Sequence, residues 1–246
     1  KGANALHKLL FSIVLALTAF AAYSPLKDAG LVWDDHEIAS ISADNHKEIA
    51  YALVDTWRFD PHKLYAPMTE SVRLLLKASS AENVLTPRRL HALSLGLHSI
   101  NSVLVFLILA LCIQNLPASF MGALLFCLHP LQVEPVAYIA ALPFVLGATF
   151  ALLAIWLYLG YVARWEPGNR KPQRLGLYVA TLAFVLAMLT SPAFAVTPVL
   201  ALIIERLIPK RESFVVVRRS KWPLWIWGLL AIPLSLIHIS EPTRRY

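Results

Sequence analysis

The sequence predicts an all-α, polytopic membrane protein with about seven transmembrane helices and a large polar loop after the first of them. Hydrophobic residues make up 58% of the 246 residues and charged residues only 15%, whereas soluble domains carry about 25% charged residues. Between Arg89 and Arg164 the only acidic or basic residue, histidine aside, is Glu134. A stretch that long with one charge cannot form the surface of a soluble domain, and it predicts several membrane helices in series.

Apolar runs separated by polar segments or prolines account for the predicted helices. They are residues 9–23, 90–113, 118–133, 136–162, 175–189, 194–208 and 222–233. The first run follows Lys8 and could instead be a cleavable signal peptide, since Ala19-Phe20-Ala21 resembles a cleavage site. A retained helix is favoured because the rest of the chain is membrane-embedded, and in either case the following segment is exported. Pro143 is expected to kink the fourth run.

The charges between the runs predict the orientation. The first loop, 27–89, holds most of the 15 acidic residues, whereas 164–174 and 206–221 are basic. If every run crosses, both basic segments lie in the cytoplasm and the acidic loop lies outside, as the positive-inside rule requires. The third run is short for a crossing, but without it both basic segments would lie outside. The net charge of +7 then reflects membrane topology, and no nucleic-acid partner is expected.

The predicted domain organisation follows from these assignments. One membrane-embedded domain, 1–233, comprises the extracytoplasmic loop 27–89, with short amphipathic helices on the membrane surface, and the helices of 90–233. The tail 234–246 resembles a translated sequencing adapter, so we exclude it from fold reasoning and expect the chain to be a fragment. Cys112 and Cys127 lie inside apolar runs and are interpreted as small buried hydrophobes, with no metal site expected.

Two polar motifs in the first loop are candidates for chemistry. Asp34 and Asp35 are adjacent carboxylates, which can act as a general base, although such a pair in a polar loop is usually a solvated turn. Their position just after the first helix places them where a lipid-linked substrate would present its head group. Further along, His62 and Lys63 with Tyr65 could bind a phosphate; a surface turn is the alternative.

Two further motifs lie among the apolar runs. The second run carries polar residues at helical spacing, so they share one face: His91, Ser94, His98, Asn101 and Ser102. Such residues either pack between helices or contact a ligand. His129 and Glu134 lie between the third and fourth runs. An ionisable residue in a membrane region indicates a functional site, whereas an interfacial loop residue is the alternative for Glu134.

These four motifs, in this order, resemble those of the transmembrane O-mannosyltransferases that carry tetratricopeptide repeats, and their bacterial relatives, within the C-type glycosyltransferase (GT-C) fold. The resemblance covers most of 30–208. The matching residues are Asp34 and Asp35 after Leu31-Val32-Trp33; His62, Lys63, Tyr65 and Pro67; His91, His98, Asn101 and Ser102; and His129, Pro130, Glu134, Val136 and Ala137.

The chain departs from the family pattern at three places, and each departure loses a charge. The family's arginine before proline is Ala66 here. Its Gly-Arg-x-Asp turn reads Ala141-Leu142-Pro143-Phe144, and its Lys-Glu pair reads Ser191-Pro192.

The resemblance implies transfer of a sugar, which is mannose in the family named, from a polyprenyl phosphate to an acceptor hydroxyl on a protein or glycan. It implies inversion at the anomeric carbon, no cofactor beyond the lipid-linked donor, and a bacterial inner membrane, or the endoplasmic reticulum in a eukaryote. Asp34 or Asp35 would be the base, His62 and Lys63 would bind phosphate, and His129 and Glu134 would complete the site. The alternatives are a non-catalytic membrane scaffold or chaperone, motivated by the lost charges, and a transporter, which the acidic loop disfavours.

Overall fold

The computed structural model describes residues 2–36, 46–59, 65–80, 84–164, 174–208 and 222–239, and these ranges contain helices and turns without a strand. The α-helices are α1 (Gly2–Ala22), α2 (His46–Asp55), α3 (Pro67–Ala78), α4 (Pro87–Ile113), α5 (Leu116–Leu128), α6 (Val133–Ala137), α7 (Leu142–Arg164), α8 (Arg174–Met188), α9 (Thr197–Glu205) and α10 (Trp222–Ile239). The all-α prediction is therefore confirmed for the described part of the chain.

The core forms around α4 and α7. Helix α4 packs against α1, α5 and α7, and α7 packs against α8, while α9 and α10 pack on α7 and α8. Helices α4 and α5 are antiparallel, and so are α7 and α8. As a result, α1, α5 and α8 end where α4, α7 and α9 begin. We call this end of the bundle the loop end, because α3 also lies there: the Met68 amide donates to the Leu189 carbonyl at the end of α8, 3.3 Å away.

Three described helices are long and apolar enough to cross a membrane: Asn4–Ala22, Pro87–Ile113 and Ile139–Ala163. A fourth crossing is possible if Leu116–Leu128 and Pro130–Ala137, which meet at 53°, count as one bent span. The apolar helices in 175–188, 192–205 and 223–235 are shorter, with 10–17 residues, where a straight crossing takes about 20. The membrane character of the chain is thus supported, and the prediction of about seven spans is not confirmed.

The chain between α5 and α7 differs from the predicted pair of continuous helices. After α5 it forms a 3-10 turn (Pro130–Gln132), the short α6, and a second 3-10 turn (Ile139–Ala141) before α7. The prediction that Pro143 kinks a long helix is wrong, because α7 begins at Leu142. Pro143 therefore occupies the first turn, where its missing N–H has no intrahelical partner to lose.

Several polar groups inside the bundle are joined by hydrogen bonds between helices. The His98 Nε2 lies 3.0 Å from the Cys127 carbonyl of α5, and the Asn101 amide donates to the Val145 carbonyl of α7 at 3.1 Å. On the other side of α7, the Tyr158 hydroxyl donates to the buried Glu205 carboxylate of α9 at 2.8 Å. Pairing of this kind is what a polar group in an apolar interior requires.

The first loop contains the expected short helices within its described residues. Helix α2 packs against α3 through Ile49 and Leu74. Helix α3 packs in turn on the bundle, with Val72 in the cluster of Leu97 and Leu142. His62 and Lys63, which are predicted to bind phosphate, lie outside the described residues.

Helix α10 runs through residue 233, after which the predicted tail begins. Pro233 lies inside α10, which continues to Ile239, and Leu234 packs against the core cluster around Trp227. The side chains of the rest of the predicted tail lie outside the described residues.

We expect Gly147→Ala to destabilise the protein, because a Cβ at Gly147 in α7 would overlap the Phe194 ring and the Thr190 hydroxyl. Overpacking of this kind lowers the free energy of unfolding by about 1–3 kcal/mol. Thermal unfolding in detergent measures the effect. Gly160→Ala in the same helix is the matched control, since a Cβ there meets nothing within 4 Å; its Tm should be unchanged or higher. Equal Tm changes in both variants would contradict the packing argument.

Candidate functional site

The adjacent aspartates lie on a tight turn at the loop end, which we call the aspartate turn (residues 32–35). The Asp35 amide donates to the Val32 carbonyl at 3.0 Å, which closes the turn. Trp33 occupies its second position with φ 48°, a left-handed conformation that is rare for a bulky residue. As a result, the two aspartates point in different directions: Asp35 is buried and Asp34 is exposed.

Asp35 fastens the aspartate turn to the rest of the site. Its side chain is fully buried, and its two carboxylate oxygens accept from the Ala140 amide at 2.9 Å and from the Val32 amide at 3.2 Å. Ala140 belongs to the 3-10 turn that leads into α7, so this carboxylate joins the loop after α1 to the start of α7. A carboxylate whose oxygens both accept amide hydrogens is a structural anchor.

Asp34 is the chemically available member of the pair. Its Oδ2 accepts a hydrogen bond from the Tyr138 hydroxyl at 3.1 Å, and its side chain is exposed. The Trp33 ring meets the Tyr138 ring edge-on, with centroids 6.0 Å apart, and is itself 83% exposed. Asp34, Trp33 and Tyr138 thus form one solvent-facing group at the loop end.

Glu134 joins this group through Tyr138. The Tyr138 amide donates to the Glu134 carbonyl at 2.9 Å, one turn along α6. Partial burial raises the pKa of the Tyr138 phenol, as do its hydrogen bond to Asp34 and the negative charges of Asp34, Asp35 and Glu134. Three carboxylates therefore act on one phenol, which stays protonated and can continue to donate to Asp34.

The other predicted site residues in the described part of the chain make contacts of their own. His129 is exposed at the end of α5, where its Nδ1 accepts from the Leu131 amide at 3.2 Å, so it caps the next turn. His98 and Asn101 are buried in helix contacts, which is the packing alternative left open for them. The Tyr65 ring meets the Phe59 ring edge-on at 5.9 Å, just before α3.

Sequence reasoning missed Tyr138. It follows Glu134 by four residues, next to the break before α7, and its only signal was a polar tip in an otherwise apolar run. Within the described residues, no group of three or more His, Cys, Asp and Glu side chains could hold a metal ion.

The Tyr138 phenol should titrate above its ordinary pKa of 10.0. Absorbance at 295 nm, as the difference between wild type and Tyr138→Phe, isolates this phenol. Asp34→Asn should lower the titration midpoint of the Tyr138 phenol, but the increase in its pKa that is due to burial should remain. Because the pKa is raised in the folded state, the stabilisation it reports is present below pH 10 and is lost as the pH rises through the higher value. A midpoint at or below 10 in the wild type would contradict the geometry.

Comparisons of the chain with protein-family models, with curated proteins and with solved structures find no match.

Proposed function

We propose that the protein is a membrane glycosyltransferase that moves a sugar from a polyprenyl phosphate to an acceptor hydroxyl. The observation that carries this proposal is the asymmetric aspartate pair: Asp34 is exposed and oriented by Tyr138, while Asp35 anchors the turn. An exposed, oriented carboxylate has the form of a general base. Its position at the loop end of a bundle of apolar helices suits a substrate whose lipid tail lies in the bilayer.

In the proposed reaction, the acceptor oxygen attacks the anomeric carbon while its proton passes to Asp34. The bond between the anomeric carbon and the phosphate oxygen breaks, and the polyprenyl phosphate leaves with the electron pair. Attack from the side opposite the leaving group inverts the anomeric configuration. Glu134, whose negative charge acts on the Tyr138 phenol, is a further carboxylate that could hydrogen-bond sugar hydroxyls, and His129 lies near it in sequence.

The purified protein in nanodiscs, given a polyprenyl-phosphate sugar and a hydroxyl-bearing peptide, tests the proposal. Formation of the glycosylated peptide together with free polyprenyl phosphate, both detected by mass spectrometry, is the expected result. Failure to transfer from mannose, glucose and N-acetylglucosamine donors to peptide and glycan acceptors would count against it. Glycan acceptors are included because the acceptor hydroxyl could belong to a protein or to a glycan.

The proposal includes a topology in which every apolar run crosses, so that the loop end faces outward in the bacterial inner membrane or the lumen of the endoplasmic reticulum. A cysteine at Leu131, which is 77% exposed, should then react with an impermeant thiol reagent added outside intact cells. A cysteine at Asn115, exposed at the opposite end of α5, should react only after the cells are opened. The reverse labelling would overturn the orientation.

A non-catalytic scaffold is the second candidate, and one observation favours it. At two of the three positions where the family has a charge and this chain does not, the side chains are packed away: Ala66 is buried and Leu142 is 1% exposed. A protein that folds, inserts and binds a client protein, but transfers no sugar, would fit this candidate.

A further inference from the structure

One face of α3 carries a buried row of polar and cationic side chains. Thr69, Arg73 and Lys77 are spaced four residues apart, so they lie above one another on the helix. Their exposed fractions are 0%, 7% and 6%. Arginine and lysine are rarely buried to this degree unless they are paired, because removing a charge from water is unfavourable.

Arg73 has one acidic partner within α3. Glu70 is the single acidic residue of this helix, and its Oε1 accepts from Arg73 Nη1 at 2.6 Å. The Arg73 Nε and the Thr69 hydroxyl are both buried without a hydrogen-bond partner. A buried donor left unpaired is unfavourable, and in a native structure such a group calls for an explanation such as a ligand.

Contacts place this row at the same end of the bundle as the aspartate turn. Leu76 of α3 packs in one cluster with Leu31 and Ile139. Leu31 directly precedes the aspartate turn, and Ile139 precedes Ala140, whose amide binds Asp35. The helix that carries the row therefore adjoins both segments that build the candidate site.

We propose that Arg73 and Thr69 form an anion site that binds a phosphate group. Glu70 occupies Nη1, which leaves the Nε edge of the guanidinium, and this edge offers the parallel donors that bind phosphate in a bidentate manner. The Thr69 hydroxyl, one turn away, supplies a further donor. The side chain of Glu70 is 37% exposed, so its ion pair with Arg73 lies where the buried row meets the surface.

The phosphate belongs to a lipid, on the argument that the row adjoins an apolar bundle. That identity rests on the proposed function, whereas the anion site itself rests only on α3. The lipid phosphate and free phosphate share the recognising chemistry, so the experiment must separate them.

Binding of polyprenyl phosphate and of inorganic phosphate to the full chain in zwitterionic nanodiscs tests the site. Arg73→Gln should weaken lipid-phosphate binding about 10- to 100-fold, and Thr69→Val several-fold. Arg58→Gln is the matched control, because Arg58 is in the same loop but 77% exposed, and it should bind as the wild type does. Equal affinity for inorganic phosphate would overturn the lipid assignment, and wild-type affinity in Arg73→Gln would overturn the site.

Thr69→Val keeps the test decisive if Arg73→Gln does not fold. Removing an unpaired buried hydroxyl should raise the Tm of the ligand-free protein, while the further rise caused by polyprenyl phosphate should shrink. A variant with an undiminished ligand-induced rise would overturn the site.

The site and the proposed function can fail separately. If Arg73→Gln loses lipid-phosphate binding and the wild type transfers no sugar, the anion site is supported and the transferase proposal is contradicted. If sugar transfer depends on Asp34 but the KM for the donor is unchanged in Arg73→Gln, the transferase proposal is supported and the anion site is contradicted.

Discussion

Asp34→Asn should reduce sugar transfer by roughly 10²- to 10⁴-fold, the usual contribution of a general base. The amide has the shape of the carboxylate but cannot accept the acceptor proton. It can still accept the Tyr138 hydrogen bond through its oxygen, and the side chain is exposed, so folding and membrane insertion should be retained. Initial rates with saturating polyprenyl-phosphate sugar measure the loss, which should appear in kcat.

Two companion variants make this result specific. Asp28→Asn removes another exposed carboxylate of the same loop, with 79% of its side chain exposed, and should transfer at the wild-type rate. Tyr138→Phe removes the hydroxyl that orients Asp34 and should cause a smaller loss than Asp34→Asn. If Asp34→Asn retained most of the wild-type activity, Asp34 would not be the base and another group would have to take the acceptor proton.

Asp35→Asn should instead damage the fold. Asparagine keeps one acceptor oxygen and replaces the other with an amino group, so one buried amide at Ala140 or Val32 would face a donor instead of an acceptor. The charge that strengthens both hydrogen bonds is lost as well. We expect the free energy of unfolding to fall by about 2–4 kcal/mol.

Thermal unfolding in detergent measures this effect, with an expected Tm decrease of roughly 4–16 °C. Asp34→Asn, in the adjacent position, is the matched control and should unfold near the wild-type temperature. A stable Asp35→Asn protein that had lost all transfer activity would reverse the roles of the two aspartates.

The contrast between these aspartates is the part of the site that the sequence could not supply. Both are acidic, both follow the first helix, and nothing in their neighbours separates a base from an anchor. The difference arises from contacts with Tyr138 and Ala140, which lie more than a hundred residues away in the chain. Local patterns carry no information about such pairings until the fold is known.

The helices themselves were largely predictable, because a run of apolar residues uninterrupted by charge specifies a buried or membrane-embedded helix. Their ends were less so. At the break between α6 and α7 the Ala140 amide donates to Asp35, a distant contact that no local pattern predicts, and Pro143 alone pointed to the wrong place. The helical face with His98 and Asn101 was predicted, and their partners on α5 and α7 show why those side chains are polar.

The left-handed backbone at Trp33 has a consequence for how this protein would respond to selection. Glycine or asparagine adopts that conformation more readily than tryptophan, so a laboratory screen for heat resistance alone should favour replacing Trp33. The replacement would remove the ring that lies against Tyr138 beside Asp34. Selection for stability would therefore favour glycine or asparagine at residue 33, whereas selection for the shape of this surface would favour tryptophan. Such a conflict is expected where strained backbone is retained for a function.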